Sequence, residues 1–243
     1  MSSFGFDADR AIEEPALLDA ANEALELMGA EERVRWAFEH LPGRHALSSS
    51  FGAQAAVSLH LVTSAAPDIP VILVDTGYLF PETYRFIDEL VLRLRLNLKV
   101  YQPTMSPAWL EARHGRLWEH GVDGIDRYND LRKGEPMQRA LAELGVGSWF
   151  AGLRRQQTRA RSTIRPLEHR NGRWKFHPIL DWSDRQVFKY LAQYDLPYHP
   201  LWHRGYVSIG DWHTTRTLAE AGDPEATRFF GLKRECGIHG LEG

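Results

Sequence analysis

Cysteine is the scarcest informative residue of this 243-residue chain, which contains one. A single cysteine excludes an intrachain disulfide and a four-cysteine metal or iron–sulfur site. Long hydrophobic runs are also lacking, because no stretch approaches the ~20 apolar residues of a membrane helix. The first residues lack a basic region followed by an apolar segment, so we expect no secretory signal and a cytoplasmic protein.

Apolar residues make up 43% of the sequence, which excludes wholesale disorder and allows a substantial core. The length predicts one ordinary domain with extensions. Acidic helical patterns fill the beginning of the chain, and glycines punctuate its end. We therefore divide it into an N-terminal helical segment (1–43), a central domain (44–220) and a C-terminal tail (221–243).

Charge is unevenly distributed, although the net charge is only −3. Residues 1–32 hold nine acidic residues and one basic residue, whereas residues 151–175 hold eight basic residues and one acidic residue. Such a basic cluster must be solvated, paired, or facing an anion. A solvated face, a nucleic-acid patch and a site for a small polyanion are all open. The polyanion is favoured if the arginines lie on a loop that follows a strand.

Short apolar runs alternate with amphipathic stretches between residues 44 and 194. The strand candidates are residues 45–49, 71–74, 96–100 and 148–153, and the helix candidates include residues 53–64 and segments that begin near 81, 107, 136 and 184. This alternation predicts βαβ units and a mainly parallel sheet. Ligands of such sheets bind beyond the carboxyl ends of the strands, so the loops after residues 49, 74 and 152 are the expected site.

The first of these loops contains Ser48, Ser49, Ser50 and Gly52 ahead of a predicted helix. Hydroxyls and the unpaired N–H groups of a helix N-terminus suit phosphate or sulfate. The loop is not a P-loop, which ends in Gly-Lys-Ser/Thr. An ordinary helix cap stays the alternative interpretation.

The other two loops complement the first. Asp75-Thr76-Gly77 follows a buried strand and could bind a nucleoside base or ribose, although an ordinary turn is the alternative. Arg154 and Arg155 begin the third loop, and guanidinium groups bind phosphate oxygens in bidentate geometry. Two loops suited to anions and one suited to a nucleoside together predict a nucleotide site.

Cys236 lies in a glycine-punctuated segment that we predict to be mobile. Its neighbours Lys233, Arg234 and His239 favour a reactive thiolate, whereas Glu235 opposes it. An incidental surface thiol is the alternative.

A metal site is also conceivable, because His199 and His203 are four residues apart and His213 is near them in sequence. Pro200 and Gly205 argue against a shared helical face, so we favour core or loop histidines and predict no metal.

Together these segments resemble the phosphoadenosine phosphosulfate reductase family of assimilatory sulfate reduction. The matching segments are residues 48–57, 75–84, 128–133 with 135–137, 152–155, 199–202 and 233–237. The resemblance implies an α/β fold with a parallel-sheet, adenine nucleotide α-hydrolase-like (Rossmann-like) domain. Gln156-Gln157-Thr158 departs from the family's usual Glu-Gln-Ser, but Thr158 keeps the hydroxyl.

The resemblance also implies roles for individual residues. Cys236 is the implied nucleophile on the sulfate sulfur. The implied substrate-binding residues are Ser48, Ser49, Ser50, Phe51, Gly52 and Gln54 for the phosphosulfate, Asp75, Thr76 and Gly77 beside the nucleoside, Lys133, Arg154, Arg155, Gln157, Thr158 and Arg161 for phosphate and sulfate charge, and Arg228, Arg234 and His239 towards the tail.

A single cysteine cannot regenerate itself after such an attack, because releasing sulfite needs a second thiol. We therefore expect reduced thioredoxin or glutaredoxin as electron donor, no bound cofactor and no iron–sulfur cluster, and the family implies a homodimer. Nucleic acid and membrane are not expected partners. The alternatives are a cluster-free adenylyl-sulfate reductase, an ATP-pyrophosphatase-type adenylyltransferase or amidotransferase, and a non-catalytic nucleotide sensor or RNA-binding module.

Overall fold

A computed structural model describes residues 6–233 and residue 235. The strands are β1 (Arg44–Ser48), β2 (Pro70–Val74), β3 (Asn97–Tyr101), β4 (Val146–Ala151), β5 (Leu167–Arg170) and β6 (Arg173–Phe176). They form one sheet in the order β3-β2-β1-β4-β6-β5, in which only the β5–β6 pair is antiparallel. This architecture confirms the predicted mainly parallel α/β fold.

The helices occupy the connections that the sequence pattern indicated. They are α1 (Ala8–Glu13), α2 (Pro15–Glu26), α3 (Ala30–His40), α4 (Ala55–Ala65), α5 (Pro81–Leu94), α6 (Pro107–His114), α7 (Gly121–Asn129), α8 (Glu135–Glu143), α9 (Asp184–Gln193) and α10 (Leu218–Ala221). Within residues 6–233 no helix combines the length and the apolarity needed to cross a bilayer.

Local signals set several helix starts. Proline is at the first position of α5, where its missing N–H costs nothing. The hydroxyl of Ser106 accepts a hydrogen bond from the Trp109 N–H at the start of α6, and Ser183 and Gln186 form a capping box at the start of α9. These are sequence signals that act within one turn, which is why they could be recognised without the structure.

Helices cover both faces of the sheet. On one face Leu47 and Phe150 join a large core with apolar residues of α3, α4 and α5. On the other face Ala46 and Trp149 pack with Met137 of α8 in a smaller core. Burial on both faces explains why the central strands are short, nearly continuous apolar runs.

The β5–β6 hairpin is a feature that the sequence analysis did not predict. Its turn is Asn171-Gly172, with φ of 52° and 71°, the left-handed geometry of a two-residue hairpin turn. Asn-Gly is a hairpin signal, but the two flanking strands are only four residues long and rich in basic side chains.

The acidic N-terminal helices pack on this domain. The Asn22 side chain pairs with both the N–H and the carbonyl of Leu167, at 2.9 and 3.0 Å. The fully buried Arg33 guanidinium lies 2.6 Å from the Asp181 carboxylate. Residues of α1, α2 and α3 therefore share one core with the sheet.

Candidate active site

The carboxyl ends of β1, β2 and β4 open onto a cavity of about 470 Å³. Its lining includes residues from all three predicted loops, such as Ser49, Thr76 and Arg154. The parallel sheet brings these loops together although up to 105 residues separate them in the chain.

The serine loop, which connects β1 to α4 and lines the cavity, contains a strained turn at Phe51. Phe51 has a left-handed φ of 49°, and its ring is fully buried in the main core. The Phe51 N–H donates to Ser49 Oγ at 3.1 Å. Because a non-glycine residue in this region costs about 1–2 kcal/mol, the buried ring offsets the strain. The cavity-lining members of the loop are Ser48, Ser49, Ser50, Gly52 and Gln54.

Arg154 is the most strongly fixed cation of the third loop. Its side chain is 5% exposed, and Nη2 donates to Gln54 Oε1 at 2.6 Å and to Asp184 Oδ1 at 2.9 Å. Nη1 donates to the Trp182 carbonyl at 3.0 Å. The guanidinium is thus oriented before any ligand arrives.

Close backbone packing places this loop. A Cβ on Gly152 would lie 2.5 Å from Ser58 Oγ and 2.8 Å from Ser58 Cβ. Glycine at the end of β4 therefore lets the chain pass tightly against α4.

Lys133 forms a buried ion pair with Asp211, whose carboxylate lies 2.7 Å from Lys133 Nζ. Thr76 Oγ1 donates to the same carboxylate at 2.5 Å. Burial alone raises the pKa of Asp211, but attraction to Lys133 and hydrogen bonds from Lys133 and Thr76 outweigh it and keep that pKa below its usual range. Lys133 and Asp211 both line the cavity.

The lysine is presented by an irregular helix. Between α7 and α8 the chain forms a π-helical turn, Asp130–Gly134. Such turns change which side chains face inwards, and here Arg132 and Lys133 are both buried. Asp211 was missed by sequence reasoning because it lies 78 residues from Lys133 in an irregular segment that carries no motif of its own.

Arg228 lies against a glycine. A Cβ on Gly210 would overlap the Arg228 guanidinium, which lies 5.1 Å from the Phe229 ring centroid. Lys133 Nζ is 4.9 Å from the same ring. Both cations therefore border the cavity on a shared aromatic surface.

The Glu235 carboxylate, near the end of the described chain, pairs with Arg161 of the third loop. Glu235 is 1% exposed and accepts hydrogen bonds from Thr158 Oγ1 at 2.7 Å and from the Arg161 guanidinium at 2.7 and 2.9 Å. Arg161 also contacts Gln157 Oε1. Thr158, Arg161 and Gln157 all line the cavity.

Four predicted site residues lie beside the cavity without lining it. Phe51 is in the core, and Gly77 has a φ of 76° in a turn against Pro107. The Asp75 carboxylate accepts hydrogen bonds from the Gly77 N–H, the Tyr84 hydroxyl and the Gln102 amide. Its structural contacts therefore fix the loop after β2.

The fourth, Arg155, points to the acidic helices. Its guanidinium pairs with Glu26 of α2 and donates from Nε to the Ile164 carbonyl at 2.9 Å. Cys236, Arg234 and His239, together with the expected mobile end of the tail, lie outside the described residues.

His199, His203 and His213, all within the described part of the chain, do not form a metal cluster. His199 is buried, its Nδ1 accepts from the Leu201 N–H at 3.1 Å, and its Nε2 is 3.0 Å from Thr83 Oγ1. Burial lowers the pKa of His199 to about 4. Among residues 6–233 and 235, no group of three or more His, Cys, Asp or Glu side chains is arranged to hold a metal ion.

Comparison with known protein families shows which family this chain belongs to. The family model described as the phosphoadenosine phosphosulfate reductase domain matches residues 44–217. The chain belongs to the phosphoadenosine phosphosulfate reductase family. It is thereby an enzyme of the oxidoreductase class that acts on a sulfur group, as predicted.

Relatives of this family match along most of the chain. Phosphoadenosine 5′-phosphosulfate reductase of Alkalilimnicola ehrlichii is 63% identical over 227 residues, which are 93% of this chain and 93% of that protein. The crystal structure of phosphoadenylyl-sulfate reductase from Candida auris in a phosphate complex superposes with a TM-score of 0.72 at 32% identity. That comparison covers 84% of this chain and 98% of the Candida auris chain.

A different enzyme class shares the fold. FMN adenylyltransferase of Candida glabrata in complex with ATP superposes with a TM-score of 0.60 at 16% identity, over 83% of this chain and 65% of that one. At this identity the likeness concerns the fold alone. It confirms the adenine nucleotide α-hydrolase-like architecture that the family resemblance implied.

Proposed function

We propose that this chain reduces 3′-phosphoadenylyl sulfate to sulfite and adenosine 3′,5′-bisphosphate during sulfate assimilation. The observation that carries the proposal is a reductase-family cavity bordered by Lys133, Arg154 and Arg228, of which Lys133 and Arg154 are held by carboxylates. The substrate is a polyanion, so cations that are already oriented stabilise it without a reorganisation cost. The 63% identity to a relative of that name supports the same assignment.

The serine loop complements these cations. Ser49 and Ser50 line the cavity in the loop that leads into α4, whose N-terminal N–H groups and helix dipole favour an anion. We assign the phosphosulfate to this end of the cavity. Negative charge that develops on the leaving phosphate is then stabilised by groups that already bind it.

The chemical step uses the one thiol of the chain. The Cys236 thiolate attacks the sulfate sulfur, an S–S bond forms, and the bond from that sulfur to the phosphate oxygen breaks. The electron pair of the broken bond leaves with adenosine 3′,5′-bisphosphate, and the enzyme carries S-sulfocysteine.

The second step needs two electrons from outside the chain. A thiolate of reduced thioredoxin or glutaredoxin attacks the Cys236 sulfur and expels sulfite, which leaves a mixed disulfide. The second thiol of the donor then releases Cys236 and becomes oxidised. The cysteine count supports this proposal, because the chain has no second thiol. A homodimer in the reducing cytoplasm completes the proposal on the basis of the family resemblance.

The main alternative is a cluster-free reductase of adenylyl sulfate, which lacks the 3′-phosphate. The relatives named phosphoadenosine 5′-phosphosulfate reductase, at 63–64% identity, favour the 3′-phosphorylated nucleotide. The adenylyltransferase alternative is disfavoured because the serine loop has no aspartate between residues 48 and 67 to bind magnesium pyrophosphate.

One assay tests these alternatives together. Sulfite release is measured with reduced thioredoxin and either 3′-phosphoadenylyl sulfate or adenylyl sulfate at equal concentration. We expect kcat/KM to be at least ~100-fold higher for the 3′-phosphorylated nucleotide, because an extra phosphate gains charge-assisted hydrogen bonds. Preference for adenylyl sulfate, or adenylyl transfer without sulfite, would contradict the proposal.

A further inference from the structure

We propose that Thr158 and Arg161 form a receptor for the Glu235 carboxylate and that Glu235 is a positioning residue for the catalytic tail. The proposal rests on the proposed function, because it assigns Cys236, the next residue, as the nucleophile. The resemblance placed Thr158 and Arg161 among the substrate contacts. In the structure both residues contact the Glu235 carboxylate.

The contact between Glu235 and its receptor is bidentate and buried. Arg161 uses Nε and Nη2 to grip the two carboxylate oxygens of Glu235, at 2.9 and 2.7 Å. Thr158 donates its only hydroxyl proton to Oε1 of the same carboxylate, at 2.7 Å. The Glu235 side chain is 2% exposed, so water does not screen the pair as it does at a surface.

A second ion pair holds the same segment on another element. Lys233, two residues before Glu235, pairs with Asp126 of α7. Arg161 follows β4, whereas α7 leads into the π-helical turn that carries Lys133. The described residues 233 and 235 are thus tied to two different elements, helix α7 and the segment after β4, by pairs of opposite polarity.

The opposite polarity sets the direction of the chain. If the segment were reversed or shifted, Lys233 would face Arg161, or Glu235 would face Asp126, and like charges would repel. Two oriented pairs therefore fix both the register and the direction of the residues that precede the thiol. The proposal therefore assigns the receptor an effect through the tail, although Thr158 and Arg161 also line the cavity.

Separating the two roles requires a readout that does not depend on turnover. Trypsin cleaves after Lys233 and Arg234, so the rate at which the C-terminal peptide is released from native protein reports how often the segment opens. Arg161→Ala breaks the contact of Thr158 and Arg161 with Glu235, which we call the latch, and leaves the cleaved sequence unchanged. Arg159→Ala is the matched control, because it removes a neighbouring exposed charge that does not contact Glu235.

The latch predicts a specific pattern of release. Arg161→Ala should speed release about 10-fold because it leaves a buried carboxylate without its partner, and Arg159→Ala should change it less than ~2-fold. In a Glu235→Gln background, Arg161→Ala should increase the release rate by less than a further ~2-fold, since the two side chains act as one unit. Affinity for adenosine 3′,5′-bisphosphate, measured by calorimetry, should change less than ~3-fold in Arg161→Ala and in Arg161→Lys.

Steady-state kinetics of the Glu235→Gln variant give a further test of the positioning role. Glu235→Gln should lower kcat about 10-fold with KM nearly unchanged, because a displaced nucleophile affects the chemical step. Release at the wild-type rate in Arg161→Ala, or an affinity loss above ~10-fold, would overturn the latch and return Arg161 to the substrate site. Absence of sulfite production by the wild-type enzyme would instead refute the proposed function, while the release measurements would still decide on the latch.

Discussion

The arginine-rich segment that follows β4 is divided between two surfaces. Arg154 and Arg161 face the cavity, with side chains 5% and 16% exposed, whereas Arg155 and Arg165 reach the acidic helix α2 with 29% and 41% exposed. The inner guanidiniums each have several partners. The outer ones form pairs with Glu26 and Asp19 in contact with water.

This difference shows why a cluster of charges is ambiguous in sequence. Part of the basic excess that suggested a polyanion balances the acidic N-terminal helices of the same chain. The remaining part is buried, fixed and placed at the strand ends. We therefore expect substitutions on the inner surface to have large effects and equivalent substitutions on the outer surface to have small ones.

The largest contrast should come from the same chemical change at two aspartates. Asp211→Asn removes one partner of a buried ion pair with Lys133, so the free energy of unfolding at pH 7 should fall by about 3 kcal/mol. Asp19→Asn, at the exposed pair with Arg165, should cost less than about 1 kcal/mol. Denaturant unfolding of both variants measures the difference.

Low pH should reduce the stability difference between wild type and Asp211→Asn. The pKa of Asp211 is held below its usual range in the folded state, so its stabilising effect is complete well above the unfolded pKa of about 3.9 and declines progressively as the pH falls from there through the lower folded pKa. The stability gap between wild type and Asp211→Asn should therefore shrink below about pH 4. A gap that is constant from pH 7 to pH 3 would contradict the charged pair.

Activity should separate the two surfaces next. Arg154→Ala removes a cation that is already oriented in the cavity, and kcat/KM for 3′-phosphoadenylyl sulfate should fall about 100-fold. Arg165→Ala removes the same charge from the outer surface and should stay within ~2-fold. Equal losses in steady-state sulfite assays would mean that long-range charge, and not local geometry, determines binding.

A smaller effect is expected at Gly210, where no charge is removed. A Cβ there overlaps the Arg228 guanidinium, so Gly210→Ala should displace this cation from the cavity. We expect KM to rise about 10-fold while unfolding changes by less than about 1 kcal/mol, because the flexible side chain can move away. Gly29→Ala, whose Cβ would make only an ordinary 3.6 Å contact far from the cavity, is the control. An unchanged KM would exclude Arg228 from substrate binding.

The smallest effect concerns salt. The outer pairs Arg155–Glu26 and Arg165–Asp19 are partly exposed, so the stability cost of Arg165→Ala should be under about 1 kcal/mol and should vanish near ~1 M salt. Thermal unfolding at two salt concentrations measures it. A cost that persists at high salt would show that packing of the arginine stem, and not charge, holds α2.

The parts of the fold that depend on residues close together in the chain could be predicted from the sequence. The apolar run before Asp75, the capping box at Ser183 and Pro81 each act within a few residues, and β2, α9 and α5 lie close to their predicted positions. Because the strands are parallel, their order along the chain also placed the three loops at one edge.

The parts that could not be predicted depend on long-range pairing. Nothing near Lys133 indicates that Asp211 will neutralise it, and nothing near Arg155 distinguishes it from Arg154. Glu235 was expected only to oppose a thiolate, whereas the structure pairs its carboxylate with Arg161, 74 residues away. Such partners are determined by tertiary packing, which leaves no periodic trace in the sequence.

The central claim is that the thiol of Cys236 takes up the sulfur group of the nucleotide. It is tested most directly by intact-protein mass spectrometry after a single addition of 3′-phosphoadenylyl sulfate without any reductant. The account predicts one sulfonate adduct, located on Cys236, which disappears together with sulfite release when thioredoxin is added, and no adduct in Cys236→Ser. Sulfite release by Cys236→Ser at the wild-type rate, or an unmodified wild-type enzyme, would contradict it.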